Sequence, residues 1–365
     1  MLLFIIVAAA IIGVSQFLRS QPPLEITIAV SPLAEDWVRS AVESLNATEP
    51  VVGATRRIRF RVEPIDDMTV WMDDRRVWTV DSHPAGWIPA ASISVDYAVQ
   101  ARLPLESVAP SLARTPLVWG GFASRVNALT NDTGVLDWDQ VANAARLGRW
   151  SQIPGGQAGW GNLTLAFNHP ARSISGLGVL FSGAADFAAA AEVTGAVTGA
   201  SDFRDWIRPV MESVPNFITL GDSPAQAMAS RGPSIGEIAL LPEQEWLSHL
   251  RGQLQGSDPL RLAYPTYPFV FDFPLVRWAD VETPNEERAA IDVLSGWLLG
   301  EARQAALAGF GLRPAQGEVA ETADLFVRAG AYGALLTPDL TGAVQAPPRT
   351  DTQRLLTWLT SSVIR

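Results

Sequence analysis

The sequence contains no cysteine and no lysine. The first absence removes disulfides, thiolate metal sites and cysteine nucleophiles at once. The second removes Schiff-base chemistry and the lysine of a phosphate loop. All 27 basic residues are arginine, and 38 acidic residues outnumber them, for a net charge of −11. Phosphate backbones are held by clustered cations, so an acidic chain without a basic run is a poor nucleic-acid binder. Histidine is scarce as well: His83, His169 and His249 are the full set, and no H-E-x-x-H pattern joins any two of them. Neither a metal site nor a cofactor is expected.

What is present is enough apolar material for a real core. The chain has 365 residues, 48% of them hydrophobic, and its length suggests two domains. Met1 to Leu18 is apolar except for Gly13, Ser15 and Gln16. A helix of about 18 residues just crosses a bilayer. No small-x-small cleavage site follows it, so residues 1–22 are expected to be an uncleaved membrane anchor, with a cleaved signal peptide as the alternative.

After Pro23 the hydrophobic period is two: Leu24, Ile26, Ile28 and Val30 alternate with Glu25, Thr27 and Ala29. Ser31-Pro32 then reads as a helix start, with Ser31 as N-cap. Leu33, Trp37, Ala41 and Leu45 give the helix its apolar stripe. Strand, turn and helix in this order open a parallel α/β sheet. Further strands are expected at 59–62, 115–120, 163–167 and 235–241, and helices at 94–101, 137–147, 173–191, 203–213 and 242–250. Thr283-Pro284-Asn285-Glu286 has the form of a capping box before a helical region that ends at Gly309-Phe310-Gly311. The acidic pairs Asp66-Asp67 and Asp73-Asp74 lack a calcium-loop pattern and read as solvated surface.

Several short blocks then fall in one order: Val30-Ser31-Pro32, Trp87 to Ser92, Thr115 to Val118, Trp160-Gly161, Asn168 to Gly176, Gly221-Asp222-Ser223, Tyr264-Pro265 and Gly309 to Pro314. With these blocks the chain resembles bacterial extracellular solute-binding proteins, and among them the branch that often carries a von Willebrand factor A domain. The resemblance implies an α/β, two-lobed, periplasmic-binding-protein-like fold of type II, a flytrap behind an N-terminal transmembrane helix. Lobe 1 is expected to combine residues 24–115 with 262–317, lobe 2 to span 116–261, and a helical extension, 318–365, to pack on lobe 1. A small ligand is expected in the crevice between lobes, at the carboxyl ends of the strands.

The candidate ligand-binding residues are Ser31, Ala91, Ser92, Trp119, Ser173, Ser175, Gly176, Asp222, Ser223 and Tyr264. Helix N-termini carry unpartnered N–H groups and partial positive charge, so two of them facing one crevice can hold an oxyanion without lysine. Ser31 and the Ser173–Gly176 cluster have this character, and the plain alternative is that these serines only cap helices. Oxyanion is therefore the preferred ligand, with sugar or small organic acid behind it. The 13 tryptophans keep sugar stacking open. The resemblance further implies an extracytoplasmic location, tethered through residues 1–18 or free if these are cleaved, and a permease of an ABC-type importer as partner. A membrane-tethered scaffold or sensor in a surface complex is the alternative role. A third reading is a serine hydrolase using Ser223. It lacks an Asp three residues before a His, and the sequence has no G-x-S-x-G elbow. No catalytic residue is assigned.

Overall fold

Two sheets organise the chain. The computed structural model describes residues 22–53, 56–72, 77–130, 136–250, 252 and 258–364. The expected anchor, Met1–Leu18, and the pair Asp73-Asp74 lie outside the described residues. Among the described residues no helix is long and apolar enough to cross a membrane.

The first sheet begins with β1 (Leu24–Val30), β2 (Val51–Val52), β3 (Arg56–Pro64), β4 (Gly86–Ile88) and β5 (Leu105–Ala109). In β3, Ile58, Phe60 and Val62 are buried while Arg59 and Arg61 face solvent, so period two lays one face on the core. β3 runs parallel to β1, with Leu24 opposite Ile58 and Val30 opposite Pro64, and β4 flanks β1 on its other side, also parallel. The helix Glu35–Asn46 returns across this sheet and buries Trp37, Val38, Ala41, Val42 and Leu45.

The second sheet is built on β6 (Ala113–Phe122), with β7 (Leu165–Ala166), β8 (Ile238–Pro242), β9 (Leu260–Ala263) and β10 (Val270–Phe271). β11 (Leu275–Trp278) rejoins the first sheet, antiparallel between β4 and β5, and completes the order β2-β3-β1-β4-β11-β5. The chain therefore passes between sheets at 109–113 and again at 271–275. A return near residue 262 was expected from the sequence. β9 and β10 instead remain on β6, Leu260 opposite Phe122 and Phe271 opposite Thr115. The two crossings are tied to each other and to β4: Leu112 N–H donates to Phe273 O (3.0 Å) and Phe273 N–H to Ala90 O (3.1 Å). Phe273 holds this position with φ of +43°, a backbone conformation that non-glycine residues seldom adopt. The buried apolar side chains of both sheets join in a single contiguous cluster.

The tail differs from expectation more widely. β12 (Arg313–Pro314) pairs with the first residues of β6. Beyond it, Val344 N–H donates to Pro268 O and Gln345 N–H to Ala191 O, both beside the second sheet. The final helix, Arg349–Ser362, then touches both halves. Arg349 donates twice to Trp71 O (3.0 and 2.8 Å), and the Tyr97 hydroxyl bonds to Pro347 O and Thr352 Oγ1 on the first-sheet side. On the other side Arg208 donates to Ser362 O (2.8 Å), and the Arg204 and Arg208 guanidinium groups lie over the Trp358 ring. Packing on lobe 1 alone was the expectation. The helix bridges because its polar termini and its Trp358 face different neighbours.

Two caps also differ. Ser31-Pro32-Leu33 is a turn, the helix starts at Glu35, and its N-cap is Ala34. The box expected at Thr283–Glu286 does not close: Pro284 is the N-cap, and Thr283 Oγ1 accepts from Asp280 N–H.

Candidate functional site

Between the two sheets lies a cavity of about 510 Å³. From the first-sheet side come Ser31, Pro32, Leu33 and Asp66. The opposite wall holds Asn168, His169, Arg172 to Ser175, Phe217, Ile218, Gly221, Asp222 and Glu245.

Ser31 follows β1 directly. Its N–H donates to Ile88 O (2.8 Å) and its carbonyl accepts from Ala34 N–H (3.0 Å), so the turn is held by backbone alone. The residue is 1% exposed, and its hydroxyl has no partner among the described residues. Had Ser31 capped the helix, that oxygen would be occupied. A buried unpaired hydroxyl costs about 1–3 kcal/mol, which makes it conspicuous.

Asp66 ends the loop after β3 and caps the short helix Asp67–Trp71 by accepting Met68 N–H (2.8 Å). The Ile174 N–H of the opposite wall lies near enough to favour the ionised form of Asp66. Burial raises its pKa to about 6, the two N–H donors work against that rise, and nearby Asp222 adds to it. Asp67 is fully buried. It accepts Ala90 N–H with both carboxylate oxygens (3.1 and 3.0 Å), and burial pushes its pKa up to about 8. The acidic pair is thus structural, and Asp66 alone of the two lines the crevice. Solvated surface was the expectation, and it fails because β3 delivers both residues to a helix start under the core.

The helix Ile174–Ala188 forms the other wall. Ser173 is its N-cap, and Ser173 Oγ accepts Ser175 N–H (3.2 Å). Gly176 has a packing duty: a Cβ there would collide with Asn168 O. Asn168 Nδ2 donates to Asp222 O (3.1 Å), which fixes Oδ1 as the free acceptor. That oxygen is buried with no partner among the described residues, on a residue 8% exposed. His169 Nδ1 accepts Ala171 N–H (3.1 Å); burial and the Arg172 charge lower its pKa. Glu245 accepts Ser223 Oγ (2.9 Å) and Ala225 N–H (3.0 Å), and burial raises its pKa to about 7.

Of the sequence candidates, Ser31, Ser173, Ser175 and Asp222 line this cavity. Gly176 stands one residue behind it. Ser92 lies at the crossing, where its N–H (2.7 Å) and hydroxyl both donate to Asp272, and Ala91, the residue before it, is buried. Trp119 is buried in the second sheet, its ring 5.0 Å from Trp138 and 6.1 Å from Phe167. Ser223 caps the helix Pro224–Arg231, and among the described residues no histidine bonds its hydroxyl. Tyr264 belongs to a buried network: its hydroxyl donates to Glu243, which pairs with Arg313 through two bonds (2.6 and 2.7 Å). Asp66, Asn168 and Glu245 were not singled out as ligand residues from the sequence. Asn168 sat inside a quoted block, and an acidic pair at a strand end announces a helix cap, but nothing local marks Glu245.

No protein-family model matches the sequence, and no curated protein matches it. Solved structures match in fold. The periplasmic binding protein AfuA from Actinobacillus pleuropneumoniae, bound to fructose-6-phosphate, superposes with a TM-score of 0.57 at 12% identity, over 93% of this chain and 98% of that one. Maltose-bound MalE3 from T. maritima gives 0.56 at 11%, over 93% and 95%. The sulfate-binding protein SubI from Mycobacterium tuberculosis gives 0.53 at 13%, over 90% and 96%. The chain has the two-domain α/β fold of periplasmic binding proteins. These neighbours are binding proteins, not enzymes, and identities this low speak for the fold alone.

Proposed function

We propose that the chain is an extracytoplasmic solute-binding receptor that closes two lobes over one small polar ligand and catalyses nothing. One lobe comprises residues 24 to about 112 with the segment from 274 to 317, the other about 113 to 273. The ligand sits in the 510 Å³ cavity, in contact with Ser31, Asp66, Asn168, Ser173, Ser175 and Asp222. The observation that carries this reading is that Ser31 and Asn168, which line one cavity from opposite walls, each carry a buried polar atom, Oγ and Oδ1, with no partner among the described residues. Buried polar groups are nearly always hydrogen-bonded, and a ligand bridging the walls satisfies both. Ligand contact with both lobes favours the closed state, the physical basis of a receptor that reports occupancy.

Delivery to an ABC-type permease is the proposed role, with residues 1–18 as the membrane tether. The eight sequence blocks and the transport proteins among the structural neighbours support it. One of those neighbours is an ABC transporter structure from Clostridium perfringens with a TM-score of 0.57 at 10% identity, over 93% of this chain and 100% of that one. The final helix, which grips both halves, favours a second reading: a tethered scaffold or sensor whose lobes move little. Stable co-purification with a membrane complex, in place of dependence on a neighbouring permease, distinguishes the two.

A thermal-shift screen against sugars, oxyanions, amino acids and amines tests the core claim. A ligand bound only by the folded form raises the melting temperature, by about 2.7 kcal/mol of stability at a hundredfold excess over Kd. Ser31→Ala and Asn168→Ala are expected to abolish the shift. Substrate turnover that disappears with Ser223→Ala and survives both of these would replace the receptor reading with the hydrolase one.

A further inference from the structure

We infer that the ligand of this crevice is an organic cation, an amine or guanidinium compound; the inference rests on the receptor reading above. The expectation of an oxyanion depended on open N–H groups at the start of the helix Ile174–Ala188. One of those groups is engaged and another faces a carboxylate. Ser173 Oγ takes the Ser175 N–H (3.2 Å), and Asp66 lies beside the Ile174 N–H. An incoming anion would have to sit next to that carboxylate.

Carboxyl and carbonyl acceptors outnumber the donors that remain. Asp66, Asp222 and Glu245 bring carboxyl groups to the cavity, and Asn168 brings an unpartnered carbonyl oxygen whose orientation is set by its amide bond to Asp222 O. On the donor side there are the Arg172 guanidinium and the Ser31 hydroxyl. A carboxylate has about four lone-pair sites, so Asp66 keeps capacity after accepting Met68 N–H. A ligand made of N–H donors and positive charge fits this inventory. Burial raises the Asp66 pKa and the Asp222 charge adds to the rise, so a cation beside Asp66 offsets both effects. Phe217, whose ring lies 5.0 Å from that of His169, adds an aromatic wall against which a cation is also favourable.

The test is isothermal titration of the full chain in non-ionic detergent with three sets of probes: arginine, putrescine, spermidine and glycine betaine; sulfate and phosphate; glucose and maltose. The titrations are run in 150 mM salt, because a chain of net charge −11 attracts cations diffusely. We expect at least one cation to bind with saturable 1:1 stoichiometry, the anions not to bind, and Asp222→Asn and Asp66→Asn each to weaken binding about tenfold or more. Asparagine keeps the helix cap at position 66, and Asp222 is exposed at the rim, so Asp222→Asn decides the matter if the other variant does not fold. Binding of an anion or a neutral sugar without a cation overturns this inference and leaves the receptor reading intact. Cation binding unaffected by Asp222→Asn also overturns it. No binding by any probe removes the receptor reading beneath it.

Discussion

Asp67 holds a proton where the unfolded chain does not. Its folded pKa of about 8 stands above an ordinary value of 3.8, with burial as the first cause. Between those values the folded state binds the extra proton, so stability is greatest at the acid end of the window and falls as pH rises toward 8. Glu245 acts in the same direction up to about pH 7. The slope is at most about 1.4 kcal/mol per pH unit for each proton. Urea midpoints are therefore expected to decline from pH 5 to pH 8, and Asp67→Asn, which keeps an acceptor for Ala90 N–H, to flatten that decline. A wild-type midpoint that rises over this range would refute the assignment. Gly176 makes a second residue-scale prediction. Gly176→Ala drives a methyl into Asn168 O, so it should lower stability by about 1–3 kcal/mol or more and weaken ligand binding, although alanine is the better helix former. Chemical denaturation with titration of a bound probe measures both. From the sequence, Gly176 reads as room for a ligand. Only the fold shows that the backbone of Asn168 fills that room.

Among the elements, helices and strands were largely legible and their ends were not. Periodicity marks β3 and the helices at 138–147 and 201–212, because each buries one face at its own repeat, whereas β6 and the helix at 174–188 are buried nearly throughout and show as runs of apolar and small residues. A cap depends on where the chain arrives. Asp137 forms a true capping box with Gln140, whereas Ser31, with an equally good local signal, does not cap at all. The junction at β12 is less legible still. Arg313 (3% exposed) pairs with Glu243 (0% exposed) across 70 residues of sequence. Arg313→Met leaves a buried carboxylate alone and should cost about 3–5 kcal/mol, while Arg313→Met with Glu243→Leu should recover most of it. Denaturant melts of the single and double variants check this. A double variant no better than the single one would show that the pair supports more than its own charges.

For the whole molecule the deciding feature is the third link. Two backbone crossings permit hinge motion; the helix Arg349–Ser362 adds a brace that grips Trp71 O on one side and Arg208 on the other. Truncation after Ala346 removes that brace together with the Tyr97 bonds to Pro347 and Thr352. The expected result is a larger radius of gyration in small-angle scattering without ligand, and weaker ligand binding, because opening now competes more strongly with the closed, binding form. An unchanged radius would mean that the sheet junction alone holds the lobes.

By itself the sequence determined the α/β class, the excluded chemistries and most of the regular elements. Residue types and their periods act over a few turns, and burial of one face per element follows from them. Only the tertiary structure decided which sheet β9 and β10 join, what the tail clasps and where each carboxyl group of the crevice goes. Those outcomes depend on partners 20 to 280 residues away. In this chain they brought the Asp66 carboxylate to the helix start that the sequence offered as an oxyanion site.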